Sequence, residues 1–230
     1  MHIPDGFLAG EAAALGAVAA AGGLAMCLRR SRAEGRDRDL PVAGLAAAFF
    51  LVGDAPLFPV GLGTQGHLLG GTLACVLLGP WLGALTITVV TMIQAFVLGD
   101  GGITTLGLAV VNLALLPALV GYPLVLALRR MLPRTRGGLA AACALAAWVS
   151  VVLASVLFTA EFWLGAVVDL DARTLAATTI GTYAVVGVVE GAVTALIVRG
   201  LLGLRPDLVR VAGPEHRRRP RARERSEATA

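Results

Sequence analysis

The residue with the most chemistry to offer in this chain is a histidine at position 2, directly behind Met1. If the terminus is free, the α-amine of Met1, the backbone nitrogen of His2 and Nδ1 of its imidazole can bind one metal ion together. The first two close a five-membered chelate ring and the second two a six-membered one. Three roughly coplanar nitrogens result, and His67 can supply a fourth. A square-planar nitrogen set suits Ni(II) or Cu(II) better than zinc, which prefers a tetrahedron. The amide must lose its proton to bind, so affinity should depend strongly on pH. A plainer reading stands beside this one: His2 as an interfacial residue and His67 as a hydrogen-bonded loop histidine. The residue types alone leave both open.

Both histidines sit in stretches built for unusual backbone. MHIPDGFL carries a tight turn at Pro4-Asp5-Gly6 rather than the basic start of a targeting signal. His67 lies in GLGTQGHLLGG, whose glycines permit close approach of another segment. Non-helical backbone at membrane depth is tolerated where protein buries it or it lines a cavity.

The elements that must hold these stretches are helices in a bilayer. Of the 230 residues 57% are hydrophobic and 15% charged, and the mean hydropathy is +0.81, which points to a polytopic membrane protein. The expected fold class is an all-α integral membrane protein with about seven transmembrane helices, near 8–28, 40–58, 67–79, 81–98, 107–128, 138–160 and 175–198. The third is short and glycine-rich, which is expected to leave it tilted, broken or buried against its neighbours. All basic residues are arginine; they fill the loop after the first segment, the loop after the fifth and the C-terminal end, and only Arg173 falls on the other side. The positive-inside rule then places the N-terminus outside and the C-terminus in the cytoplasm. Residues 1–204 read as the transmembrane bundle and 205–230 as a basic, disordered cytoplasmic tail that touches anionic lipid. The tail has no interleaved aromatics, so nucleic acid is not an expected partner. Cys27, Cys75 and Cys143 all fall in apolar runs without C-x-x-C spacing and read as core thiols.

Four polar residues stand out within or beside these spans. Gln94 and Asn112 read as helix-packing contacts. Glu190 is an ionisable group at depth, either functional or an interhelical hydrogen bond. Asp100, in a turn with Gly101 and Gly102, can close over a bound terminus or simply join two spans. Neither H-E-x-x-H nor G-x-S-x-G occurs, and without lysine there is no P-loop, so the chain is read as no enzyme and no ATPase.

MHIPDGFL, GTQGHLLGG at 63–71, IQAFVLGDGGITTLG at 93–107 and GVVEGAVTALIV at 187–198 together resemble the CbiM/NikM family. These are integral-membrane substrate-binding (S) components of energy-coupling-factor transporters for cobalt and nickel. The resemblance implies a seven-span bundle of the prokaryotic cell membrane whose free N-terminus turns inward to bind Ni(II) or Co(II) as the transported substrate. It implies Met1, His2 and His67 as the metal ligands, with no catalytic cofactor. It further implies a transmembrane coupling (T) subunit, two cytoplasmic ATPases and often a small accessory membrane subunit. Two positions depart from the pattern: LFPV at 57–60 lacks an asparagine before Phe-Pro, and Tyr183 stands where many members have histidine. The competing class is a self-sufficient secondary permease for a divalent transition-metal cation. Such proteins show internal repeats and several mid-membrane acids, and here only Glu190 is a clear one.

Overall fold

A computed structural model describes residues 3–35, 39–56, 58–61, 64–168 and 171–213. Met1, His2 and the basic run from Pro214 onward lie outside the described residues. The chain is overwhelmingly helical. We number the helices α1 Gly10–Glu34, α2 Asp39–Gly53, α3 Gly71–Leu78, α4 Pro80–Phe96, α5 Leu106–Met131, α6 Arg136–Gly165 and α7 Ala172–Leu204. Between α2 and α3 a small antiparallel hairpin, β1 Phe58–Gly61 and β2 Thr64–Gly66, leads into the segment that carries His67.

Long apolar runs become helices because hydrocarbon offers no partner for backbone N–H and C=O groups, so each must be satisfied within its own segment. Polar residues mark the starts. Thr135 caps α6 by accepting from the Gly138 N–H at 3.0 Å, and Asp171 caps α7 by accepting from the Thr174 N–H at 2.9 Å. Four helices, α1, α5, α6 and α7, are long and apolar enough to cross a membrane, while α2 and α4 are apolar but shorter.

The short third segment is buried, one of the outcomes expected for it, but its helix starts later than position 67. Helix begins only at Gly71, and α3 spans eight residues, about 12 Å, against a hydrocarbon core of about 30 Å. Seven of those eight residues are buried. The helix lies inside the bundle, packed directly on α5: a Cβ at Gly71 would fall 2.5 Å from the Leu113 carbonyl oxygen and 2.6 Å from the Pro117 ring. Opposite it α5 widens into π-helical turns at Val111–Leu115 and Pro117–Gly121. Pro117 has no N–H to donate back into the helix, which removes one ordinary α-helical bond at this point.

Burial is graded across the bundle. In the most apolar stretch of α5, 61% of residues are buried, but in that of α1 only 22%. Leu15 and Val18 on α1, Leu45 on α2, and Val185 and Leu196 on α7 all point outward. In water so much exposed apolar surface would drive association; in a bilayer it is the face that meets lipid. The chain is a multi-pass membrane protein.

At the end of α7 the packed chain continues past the boundary expected at 204. After a turn at Pro206–Leu208 it runs back across the helix ends, and Val209, Val211 and Ala212 are buried. The Arg210 N–H donates to the Val76 carbonyl at 2.9 Å, which serves a carbonyl in the last turn of α3. Arg129 of α5 donates to the Val211 carbonyl at 2.7 Å, and the Arg210 guanidinium pairs with Asp39 of α2 at 3.1 Å.

Candidate metal centre

At the opposite end of α1 and α7, residues 3–9 thread between two connections. Ile3 is buried, and its carbonyl accepts from the Gly102 N–H at 3.0 Å and the Thr105 hydroxyl at 2.6 Å. Asp5 accepts from the backbone N–H groups of Ile103 at 3.1 Å and Thr104 at 2.8 Å. A bond from the Thr104 hydroxyl, helped by these two, holds its carboxyl below its usual pKa of 3.8. Gly102 has to be glycine, because a Cβ there would stand 2.6 Å from the Asp5 carboxylate and 2.8 Å from the Ile3 carbonyl oxygen. On the other side the Phe7 carbonyl accepts from the Val167 N–H at 3.0 Å, the Ala9 N–H donates to the Gly165 carbonyl at 2.8 Å, and the Phe7 ring meets Phe162 edge-on. The turn that carries Asp100 therefore serves as the cradle for the N-terminal segment.

His67, between the hairpin and α3, is buried to 1% exposure. Its Nδ1–H donates to the Leu68 carbonyl, and Asp54, at the end of α2, lies 3.9 Å from the same nitrogen. Burial pushes the imidazole pKa down to about 3, so the ring is neutral at physiological pH. With the proton on Nδ1, Nε2 keeps a lone pair, which is the form that ligates a metal. Burial, together with the nearby charges of Glu190 and Asp100, pushes the Asp54 carboxyl up to about 8. Burial also raises Asp100. Asp54 thus stands beside His67 and within electrostatic reach of Glu190 and Asp100, in a cluster at the end of the bundle where residues 3–9 dock.

The four supporting candidates divide. Glu190 belongs to this cluster: its carboxylate accepts from the Leu69 N–H at 2.8 Å and the Gly70 N–H at 3.1 Å, just beyond His67. Asp100 lies at its edge, with its N–H donating to the Gln94 carbonyl at 2.9 Å. Gln94 is buried on α4. Asn112 is engaged elsewhere, donating to Glu161 of α6 at 2.8 Å from within the first π-helical turn. Sequence reasoning pointed to the Asp100 turn with Thr104 and Thr105 but left out Asp54 beside His67 and Asp5 as the partner of Thr104. Asp54 ends an apolar run next to a glycine and a proline, a pattern common to any loop. Nothing local marks Asp5 as the partner of residues nearly a hundred positions away.

Among the described residues no three His, Cys, Asp or Glu side chains are placed to hold one metal ion, and His67 offers a single nitrogen donor of a kind that suits a divalent transition metal. Among known proteins the chain is 34% identical over 209 residues to a putative metal transport protein of Haloquadratum walsbyi, covering 91% of this chain and 93% of that one. It is 33% identical to a putative fused nickel transport protein, NikMN, of Archaeoglobus fulgidus, over 91% of this chain and 68% of that one. Its fold matches the crystal structure of a transition metal transporter with a TM-score of 0.81 at 26% identity, over 88% of this chain and 93% of the other. Residues 2–208 match the CbiM family, described as a cobalt uptake substrate-specific transmembrane region. This chain therefore belongs to the CbiM family of cobalt and nickel transport proteins and is a metal uptake transporter rather than an enzyme.

Proposed function

We propose that the chain is the substrate-binding component of an energy-coupling-factor transporter, capturing Ni(II) or Co(II) with the Met1 amine, the His2 backbone and imidazole nitrogens and His67. The observation that carries this reading is the burial of Ile3, with its carbonyl held by Gly102 and Thr105 at the end of the bundle where His67 is buried. Two residues reach at most about 7 Å when fully extended, and Ile3, from which that reach is measured, is itself buried. A neutral His67, tied to the Leu68 carbonyl through Nδ1, supplies the fourth nitrogen.

The arginine distribution supports an N-terminus outside and a C-terminus in the cytoplasm of a prokaryotic cell membrane, with seven apolar segments of which α3 is a buried half-span. The relative of Archaeoglobus fulgidus is a fused transport protein, which fits a system of several components. The chain has no lysine and so no P-loop; ATP hydrolysis then falls to two cytoplasmic ATPases, linked through a transmembrane coupling subunit and aided by a small accessory membrane subunit. Metal analysis of untagged purified protein, with absorption spectra of the bound ion, tests the site. A four-nitrogen planar spectrum of bound Ni(II) supports it, and an octahedral oxygen-rich one refutes it. Uptake by this chain alone, driven by an ion gradient in cells without the coupling subunit and ATPases, would reassign it as a permease.

A further inference from the structure

We infer that Glu190 is a positioning residue for His67, acting through the N-terminus of α3; the inference rests on His67 being a metal ligand. The carboxylate is buried midway along α7 and spends both oxygens on the chain just past the histidine. Oε2 accepts from the Leu69 N–H at 2.8 Å and Oε1 from the Gly70 N–H at 3.1 Å. The first bond within α3 runs from the Ala74 N–H to the Gly70 carbonyl, so the Gly70 N–H is one of the donors a helix start leaves without an internal partner. Gly70, at the N-cap position, has no side chain to provide a cap. The cap comes instead from α7, 120 residues further along, and puts a negative group at the positive end of α3.

Fixing these two N–H groups fixes the imidazole. Nδ1 of His67 is tied to the Leu68 carbonyl, and Leu68 immediately precedes the backbone that Glu190 holds. There is little slack in that backbone: Gly70 sits at φ +64, and a Cβ there would fall 2.6 Å from the Phe50 ring. Two turns earlier on α7, buried Tyr183 lies beside the His67 backbone. One helix therefore meets the loop at the histidine and holds it just beyond, so the direction in which Nε2 points depends on the carboxylate. A glutamine cannot replace it, because it offers one acceptor and sets an NH2 group against the other N–H.

The test is a double-mutant cycle on the untagged full chain, with Ni(II) affinity from calorimetry and the absorption spectrum of bound Ni(II) as readouts. Glu190→Gln should lower affinity about ten- to hundredfold, as outer partners of metal-bound histidines do, and should shift the Ni(II) bands. In a His67→Ala background the same change should cost less than about twofold, because the group it positions is gone. Equal losses in both backgrounds, or wild-type affinity and spectrum in Glu190→Gln, would overturn the inference and leave Glu190 a support of the bundle. Wild-type affinity in His67→Ala alone would remove the ligand itself, and this inference with it. If Glu190→Gln does not fold, Glu190→Asp carries the same comparison, since it keeps the charge but is one methylene too short to reach both N–H groups.

Discussion

Residues 3–9 and residues 206–212 both turn back against helix ends, at opposite ends of α1 and α7, yet they are held in different ways. The first segment buries Ile3 and Leu8 and is fastened mainly by directional bonds: the Ile3 carbonyl to Gly102 and Thr105, Asp5 to Ile103 and Thr104, Phe7 and Ala9 to Val167 and Gly165. The second buries Val209, Val211 and Ala212 among the helix ends and takes fewer directional bonds: the Arg210 N–H to Val76, Arg129 to the Val211 carbonyl, and the ion pair of Arg210 with Asp39. Apolar burial is non-directional and scales with area, so it holds a segment in place while tolerating small shifts. Hydrogen bonds weaken steeply with angle and fix register. The bundle leans more on register at residues 3–9 and more on buried area at residues 206–212.

That contrast breaks hardest at the terminus. A tag fused upstream of Met1 converts the amine to an amide, and a glycine inserted between Met1 and His2 changes the chelate rings and their register against His67. Either should cost at least about two orders of magnitude in Ni(II) affinity by calorimetry, each tenfold being about 1.4 kcal/mol. Native-like affinity in a folded, tagged protein would sink the chelate. Side-chain removal comes next. His67→Ala should weaken binding about tenfold, because the three terminal nitrogens remain and water can take the vacant position, whereas His2→Ala should cost more. The reverse order would mean a different ligand set.

Asp5→Ala tests register without touching a ligand. It removes the clamp on Ile103 and Thr104, and bonds to a charged group contribute about 1.5–3 kcal/mol each before solvent screening. A several-fold loss of affinity with normal expression is expected, and an unchanged value would show that the Ile3 bonds suffice. The opposite end sharpens the comparison. Ending the chain after Gly213 should change neither affinity nor thermal midpoint. Ending it after Arg205 should leave affinity within about twofold but lower stability by about 2–4 kcal/mol, the burial of two valines and an alanine. A large affinity loss in a folded protein ended at 205 would couple the two ends.

The smallest effect expected is one of pH. The folded Asp5 carboxyl lies below its usual 3.8, chiefly because of the Thr104 hydroxyl bond. A depressed pKa contributes stability that is present above the unfolded value and lost as pH falls through the folded one. The metal-free protein should therefore loosen at this end only below about pH 4, seen as faster backbone amide exchange at residues 102–105. Asp5→Asn should remove that acid step, and an unaltered acid profile would contradict the assignment.

The amino-acid sequence by itself determined the helical frame, because the length of an apolar run is a local property and a bilayer admits few ways to satisfy its backbone. Segments expected at 8–28, 107–128 and 175–198 correspond to helices at Gly10–Glu34, Leu106–Met131 and Ala172–Leu204. The singularity of His67 in its glycine-rich stretch was equally legible, since few residue types bind transition metals. Only the tertiary structure decided that α3 shrinks to eight residues, seven of them buried, because that depends on how closely Gly71 meets α5. It also decided that residues just past 204 pack rather than trail away, through apolar side chains too few to register in a charged stretch. The same holds for the clamps of the candidate site: Asp5 finds Thr104 and Glu190 finds Leu69 across intervals of 99 and 121 residues. Such partners are chosen by which helix ends come to lie side by side, and local composition carries no record of that.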